Sequence, residues 1–361
     1  MINISKPELG KEEEEAVVKV IRSGNLVQGE QVKAFEEEFA GYSGTKYAVA
    51  VENGTSALIV ALAAAGIKRG DQVITTPFTF IATANAISFL GAEPVFVDID
   101  EKTFNLDPSK IESAITKKTR AIMPVHIYGL MADMERIGAL AKKHGLLVIE
   151  DAAQAHGASI KNKKAGSWGL AGTFSFYPSK NMTTGEGGMI TTSDKALMEK
   201  AKIFRHQGMS AQYQHDSLGF NFRMTEIEAA IGRQQLKKLE GFTKKRIENA
   251  AYFDKQFSKI SGLTTPFVPQ ASRHVYHQYT IKIEKPYPLE RDQLLKKLLA
   301  EEIGARIYYP KLLSQEKIYS GAKHRDLAKA EKLHQTILSL PVHPGLTKND
   351  LDKIVGVIKN V

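Results

Sequence analysis

One lysine in this chain stands where solvation alone would not place an amine. The stretch Phe174-Ser175-Phe176-Tyr177-Pro178-Ser179-Lys180-Asn181 alternates aromatic and small hydroxyl residues, as a strand entering a packed interior does. It then runs through Thr183 and Thr184 into Gly185-Glu186-Gly187-Gly188 and a further apolar strand over 189–192. A lysine at such a strand end is partly desolvated, with hydroxyls nearby that can hold an anion. Desolvation disfavours the ammonium and lowers its pKa, which a Schiff-base lysine requires. Taken alone, Lys180 is one of 49 Lys and Arg residues and reads as a solvated loop lysine. Its companions elsewhere in the chain decide against that.

The first companion is Asp151. Residues 146–149 are a buried apolar strand that ends in Glu150-Asp151 and turns through Ala152-Ala153-Gln154-Ala155-His156-Gly157. A strand-end carboxylate commonly caps the next element, and Glu150 is read that way, as are Asp98 and Asp100 as structural acids. An acid held in a desolvated rim needs a cationic partner, and a protonated ring nitrogen is one. The second companion is the strand 48–51, which leads through Glu52-Asn53-Gly54-Thr55-Ser56 into a helix over 57–65. Strand, small-residue turn and helix start make an anion site from free N–H groups and the helix dipole. A simple N-cap by Thr55 or Ser56 is the blander alternative.

The elements that must position these residues alternate. Helices are expected over 11–22 and 31–42, then strand 72–75, helix 80–90, strand 94–97, and a helix opened by Asp107-Pro108 as N-cap and N1. Strand 120–125, helix 132–144 and strand 146–149 follow. Such β/α alternation with apolar strands gives a mostly parallel sheet covered on both faces, with ligands beyond the carboxyl ends of its strands. Residues 53–56, 76–80, 126–129 and 150–151 then share one rim. Thr225 is expected to cap a helix over 226–239. Beyond 241 the pattern is a smaller α/β region, with strands over 279–283 and 305–308, helices over 289–302 and 327–338, and a last helix begun by Thr347 and Asp350.

Composition sets limits. With 361 residues, 43% apolar and 25% charged, the chain reads as a soluble protein of about two domains. It has no cysteine, which excludes disulfides, thiolate metal sites and cysteine nucleophiles. No signal-peptide pattern or bilayer-length apolar run is seen, so the expected location is the cytoplasm, with no membrane partner. A net charge of +9 raises nucleic acid as a partner. The basic residues are interleaved with acidic ones on amphipathic segments, however, and no nucleic-acid-binding motif is present. The same field would draw in an anionic small substrate. His274, His277 and His343 lack the spacing and carboxylate partners of a metal site, and none is expected.

Taken together and in order, four segments resemble the DegT/StrS family of pyridoxal-phosphate-dependent nucleotide-sugar aminotransferases. They are Asn53-Gly54-Thr55-Ser56-Ala57-Leu58, Pro77-Phe78-Thr79-Phe80-Ile81-Ala82-Thr83-Ala84-Asn85, Glu150 to Gly157, and Phe174-Ser175-Phe176 with Lys180 and Gly185-Glu186-Gly187-Gly188. The likeness runs from about Ile4 to about Gln235 and is weaker beyond. It implies an α/β protein of the fold-type-I transferase class: a large cofactor domain over 1–240 with a mostly parallel, seven-stranded sheet, and a small α/β domain over 241–361.

The resemblance also implies roles. Lys180 would bind the pyridoxal phosphate as a Schiff base and then shuttle a proton, and Asp151 would pair with the pyridinium nitrogen. Phe80 would stack on the ring, Gln154 would meet its hydroxyl side, and Gly54, Thr55, Ser56 and Ser175 would hold the phosphate. A loop like 218–227 crosses to the neighbouring subunit in the family. Asn221 would there reach the phosphate and Arg223 the phosphate or substrate, making a homodimer with composite sites; from the residues alone this loop is a helix approach. Tyr308, Tyr309 and His343 would line the substrate cleft. The implied reaction moves an amino group from L-glutamate to a keto group of a nucleotide-diphosphate keto-deoxy sugar, in amino-sugar biosynthesis for lipopolysaccharide or another surface polysaccharide. The wording of residues 222–227 resembles members that act at C4. A C3-acting aminotransferase is the alternative, and a non-catalytic regulator of the same fold a further one.

Overall fold

The computed structural model describes residues 1–361 apart from Arg325. Seven apolar segments form one sheet: β1 Tyr47–Val51, β2 Gln72–Thr75, β3 Glu93–Phe96, β4 Thr119–Ile122, β5 Leu147–Asp151, β6 Ala171–Ser175 and β7 Gly188–Thr192. Their order is β1-β7-β6-β5-β4-β2-β3. Pairings among β3, β2, β4, β5 and β6 are parallel, and β7 runs antiparallel to both its neighbours. This is the mostly parallel, two-face-covered sheet expected.

Strand periodicity divides the core. Ala48 and Ala50 pack with Phe35, Phe39, Ile137 and Leu239 on one face, whereas Val49 and Val51 pack with Leu58, Ile87 and Leu197 on the other. The second face is covered by helices Gly54–Ala64, Ala82–Phe89 and Lys195–Arg205, the first by Glu30–Ser43, Met134–His144 and the start of a long helix, Glu226–Phe257. Thr225 caps that helix in a reciprocal box with Glu228, at 3.2 Å and 2.7 Å. Glu226 accepts from the N–H groups of Gly29, Gln31 and Val32 at 2.8–2.9 Å, which ties the two helix starts together.

The long helix continues to Phe257, and the boundary expected at 240/241 falls inside it. Its far half, with Ala250, Phe253 and Phe257, packs into a separate C-terminal core with Tyr279, Ile281, Leu294, Leu338 and Ile354. There the strand Tyr279–Ile283 is confirmed, while two expectations fail. Residues 305–308 form no strand and make a single bridge, Arg306 to Ser339. The helix expected over 327–338 spans only Ala328–Leu333, because Ile337–Leu340 is a fully buried strand paired antiparallel with Tyr279–Ile283. Short apolar runs carry no period that separates helix from strand.

Candidate active site

Strand ends deliver the chemistry, and their register fixes it. β5 and β6 are paired with Asp151 opposite Thr173, so Asp151 ends its strand beside the last turn of the one that carries Ser175. The loop beyond β6 is closed at its root: Phe176 receives bonds to its carbonyl from Thr184 N–H (3.0 Å) and Thr183 hydroxyl (2.7 Å), and donates to Gly187 (2.8 Å). Lys180 sits within this pinned excursion, half-buried, its N–H donating to the Tyr177 carbonyl at 2.8 Å. Burial pushes its amine down to about 8, against the opposing attraction of Asp151.

Asp151 is 5% exposed, and burial raises its pKa. It has two hydrogen bonds, from the Thr83 hydroxyl at 2.8 Å and the Ala153 N–H at 3.2 Å, and no salt bridge among the described residues. A buried carboxylate with so little compensation fits a cationic ring nitrogen. Glu150 points to the other face, where it accepts from Gly166, Trp168 and Gly169 N–H groups at 2.7–2.9 Å and lies 3.0 Å from His126 Nε2. The Ala132 N–H donates to His126 Nδ1, so Nε2 carries the proton that faces Glu150. The structural reading of Glu150 holds.

At the β1 end the N-cap is Asn53, whose Oδ1 accepts from Ser56 N–H at 2.8 Å; it is neither Thr55 nor Ser56. Ser56 is buried with its hydroxyl on Glu52 at 3.0 Å, and Thr55 is exposed. Gly54 lies against Ser175, close enough that a Cβ there would fall 2.6 Å from the serine's own. The turn and Ser175 therefore make a tight cradle at the start of an 11-residue helix, a shape suited to phosphate oxygens.

Phe80, 56% exposed, faces Tyr309 with ring centroids 6.1 Å apart. Gln154 is buried and bridges Tyr128 N–H (2.8 Å) to the Tyr309 hydroxyl (3.1 Å). Tyr308 is held by its carbonyl, which accepts from the Tyr128 hydroxyl. His343 is 4% exposed and pushed down to about 4 by burial, with Arg246 and Lys6 near it; its neighbour Pro344 lines a small cavity with Lys180 and Asn181. Asn221 is exposed and Arg223 half-exposed, its guanidinium 2.7 Å from His206 Nδ1. Their loop stays close to the cradle through the Phe222 carbonyl, which accepts from Glu52 N–H at 3.1 Å. Thr83 belongs to this site and was missed in the sequence, because no spacing marks a hydroxyl that meets Asp151 across the sheet; Thr79 and Tyr128 lie in the rim segments 76–80 and 126–129 expected there.

Residues 7–359 match the DegT/DnrJ/EryC1/StrS aminotransferase family. The chain belongs to this family. The match covers the C-terminal third as well, where the sequence likeness looked weak. Among similar proteins, a pleiotropic regulatory protein of Geobacillus stearothermophilus is 44% identical over 94% of this chain and 91% of its own. The GDP-perosamine synthase of Caulobacter vibrioides is 41% identical over 100% and 98%. A UDP-N-acetyl-3-dehydro-alpha-D-glucosamine 3-aminotransferase of Acidithiobacillus ferrooxidans is 42% identical over 94% and 91%. Among solved structures, Helicobacter pylori PseC, an aminotransferase involved in pseudoaminic acid biosynthesis, superposes with a TM-score of 0.94 at 32% identity, covering 99% of this chain and 98% of that one. This DegT-family protein is therefore an aminotransferase of the fold-type-I class, and pyridoxal phosphate is its cofactor. The under-compensated Asp151, the neutral-leaning Lys180 and the Gly54/Ser175 cradle fit that molecule's ring nitrogen, aldehyde and phosphate.

Proposed function

We propose that this enzyme moves an amino group from L-glutamate to the C4 keto group of a nucleotide-diphosphate keto-deoxy sugar, in the cytoplasm, for a surface polysaccharide. The observation that carries the aminotransferase part is the pair Lys180 and Asp151, one amine with its pKa lowered and one buried carboxylate without a salt-bridge partner among the described residues, just beyond and at the ends of adjacent strands. Support for C4 is the wording of residues 222–227 together with the full-length likeness to a GDP-perosamine synthase. The 3-aminotransferase relative keeps C3 as the alternative.

When bound, pyridoxal phosphate supplies an electron sink for carbanion character at the carbon that carries nitrogen. The chain's residues do the rest. Gly54, Thr55 and Ser175 hold the phosphate, with Ser56 shaping the turn, and Phe80 and Gln154 fix the ring plane. Asp151 holds the ring-nitrogen proton. Lys180 would anchor the cofactor and, with its pKa lowered, would serve as the base that takes the proton from the amino donor's Cα. Tyr309, Arg223 and His343 line the substrate side.

Asn221 and Arg223 belong in this reading to the partner's site, within a homodimer. Exposed apolar side chains on and beside their loop favour a second copy covering it: Phe89 (52%) packs on Phe220, and Leu218 (74%) and Tyr213 (84%) stand free in this single chain. The test is a panel of 4-keto and 3-keto nucleotide sugars with glutamate, followed by mass spectrometry. Amination of the 4-keto members is expected, and turnover of 3-keto members alone overturns the C4 assignment. A cofactor-loaded protein whose visible band does not shift on adding glutamate or other amino donors overturns the enzyme reading.

A further inference from the structure

Asp151 does not meet its surroundings alone. The Thr83 hydroxyl lies 2.8 Å from Asp151 Oδ2, and the Thr79 hydroxyl lies 3.0 Å from that of Thr83. Both threonines are buried, at 2% and 1% exposure, Thr79 on the segment after β2 and Thr83 in the first turn of the helix Ala82–Phe89. An ionised carboxylate only accepts, so the bond to Asp151 is donated by Thr83. Thr83 has spent its one proton, so the Thr79–Thr83 bond is donated by Thr79. The direction of the two-hydroxyl relay follows from the acid at its end.

We propose that Thr83, oriented by Thr79, is a positioning residue that keeps Asp151 aimed as a hydrogen-bond acceptor toward the ring nitrogen of the cofactor. The inference rests on Asp151 serving that nitrogen, as assigned above. Burial favours the neutral form of this acid, and the donations from Thr83 and Ala153 are what oppose it most. The charged and titratable groups around Asp151 are Lys180, His126 and Tyr309. None substitutes for Thr83: Lys180 is committed to the aldehyde end, His126 gives its proton to Glu150, and Tyr309 bonds Gln154. Losing the Thr83 donor would leave Oδ2 desolvated and unpaired, and the acid would take up a proton that belongs on the ring.

The experiment uses the holoenzyme reconstituted with pyridoxal phosphate labelled with nitrogen-15 in the ring, read at rest without any sugar. Thr83→Val is isosteric and lacks the donor; Thr83→Ser keeps it. The expected result for Thr83→Val is a ring-nitrogen resonance moved toward the unprotonated position and cofactor Kd raised by about tenfold. Its kcat should fall about 10- to 100-fold, with KM for the sugar changed less than about threefold, because the lost interaction acts on the reacting centre and not on sugar binding. Thr83→Ser should resemble the wild type in all four. If Thr83→Val proves too unstable, Thr79→Val, which removes only the orienting donor, should move the resonance in the same direction by less. An unmoved ring nitrogen in Thr83→Val or, failing that, Thr79→Val overturns the proposal, as does a serine variant that behaves like the valine one. Asp151→Asn is the control: if it too leaves the resonance unmoved, the assignment of Asp151 has failed and not the relay alone. The ring-nitrogen and Kd readings do not depend on which sugar is the substrate.

Discussion

The amide of Gln154 and the hydroxyl of Tyr309 meet at 3.1 Å, joining the turn after β5 to a segment 155 residues later in the chain. With the Phe80 ring facing Tyr309, this contact closes one side of the cofactor site. Tyr309→Phe removes a single bond of about 1 kcal/mol and leaves the ring in place, so a roughly fivefold change is the scale to expect. The expected outcome is a KM for the sugar raised about that much with thermal stability nearly unchanged. Steady-state kinetics with a melting curve on the same sample check it.

Asp151→Asn keeps the shape and removes the negative charge. The protein should fold, bind pyridoxal phosphate and be coloured, yet turn over at least about a hundredfold more slowly, because preorganised charge at the ring nitrogen is lost. Turnover within a few-fold of wild type would remove Asp151 from its role.

Lys180 should titrate near 8 in the cofactor-free chain, well below an ordinary lysine. Between that value and the ordinary range the unfolded chain holds a proton the folded chain has released. The lysine's contribution to stability therefore rises with pH across that window and is least favourable below it. Trace acetylation with peptide mass spectrometry should show Lys180 becoming reactive with a midpoint near 8, while exposed lysines lag behind. A midpoint at the ordinary value would contradict the desolvated placement.

Gly54→Ala puts a methyl group 2.6 Å from Ser175 Cβ. Either the turn or β6 must shift, at a cost of about 1–3 kcal/mol. Cofactor affinity should fall about tenfold or more while the sheet stays folded, measured by fluorescence titration and circular dichroism.

Composite sites predict rescue on mixing. Lys180→Ala and Asn221→Asp homodimers should each be nearly inactive, whereas a heterodimer collects both lesions in one site and none in the other. Random reassortment of equal amounts should then restore roughly one site in four. Since the Phe222 carbonyl bonds Glu52 of its own chain, the outcome decides on which side Asn221 acts. Confirmed heterodimers without recovered activity would assign it to its own chain.

The sequence made Lys180, Asp151, Ser175 and the 53–56 turn legible because each sits at the end of a strand whose apolar run announces it, and parallel sheets gather such ends on one rim. The rim rule reached Tyr128 as a position but not its bond to Gln154, and it did not reach Thr83, since partners across the sheet lie at sequence separations that no local pattern encodes. The cap at residue 53 was misassigned among three neighbouring cap formers, a choice that only backbone geometry makes. His343 is placed at the substrate by likeness alone; packing adds that it is buried, next to Pro344, which shares a cavity with Lys180.

The helix Glu226–Phe257 is about 48 Å long at 1.5 Å per residue, and its two ends serve different masters. Near its start, Gln235 holds the Glu8 carbonyl at 2.8 Å; farther on, Arg246 holds the Tyr276 carbonyl at 3.2 Å and Asn249 that of His343 at 3.1 Å. A builder of chimaeras who exchanged everything after residue 240 would splice two unrelated half-helices within one element, between Gln235 and Arg246. The seam that keeps the helix whole lies after Ser258, its C-cap, and there Arg246 and Asn249 need only main-chain carbonyls from the grafted part. There a donor's C-terminal region could be grafted while the whole helix stays with the lysine it braces.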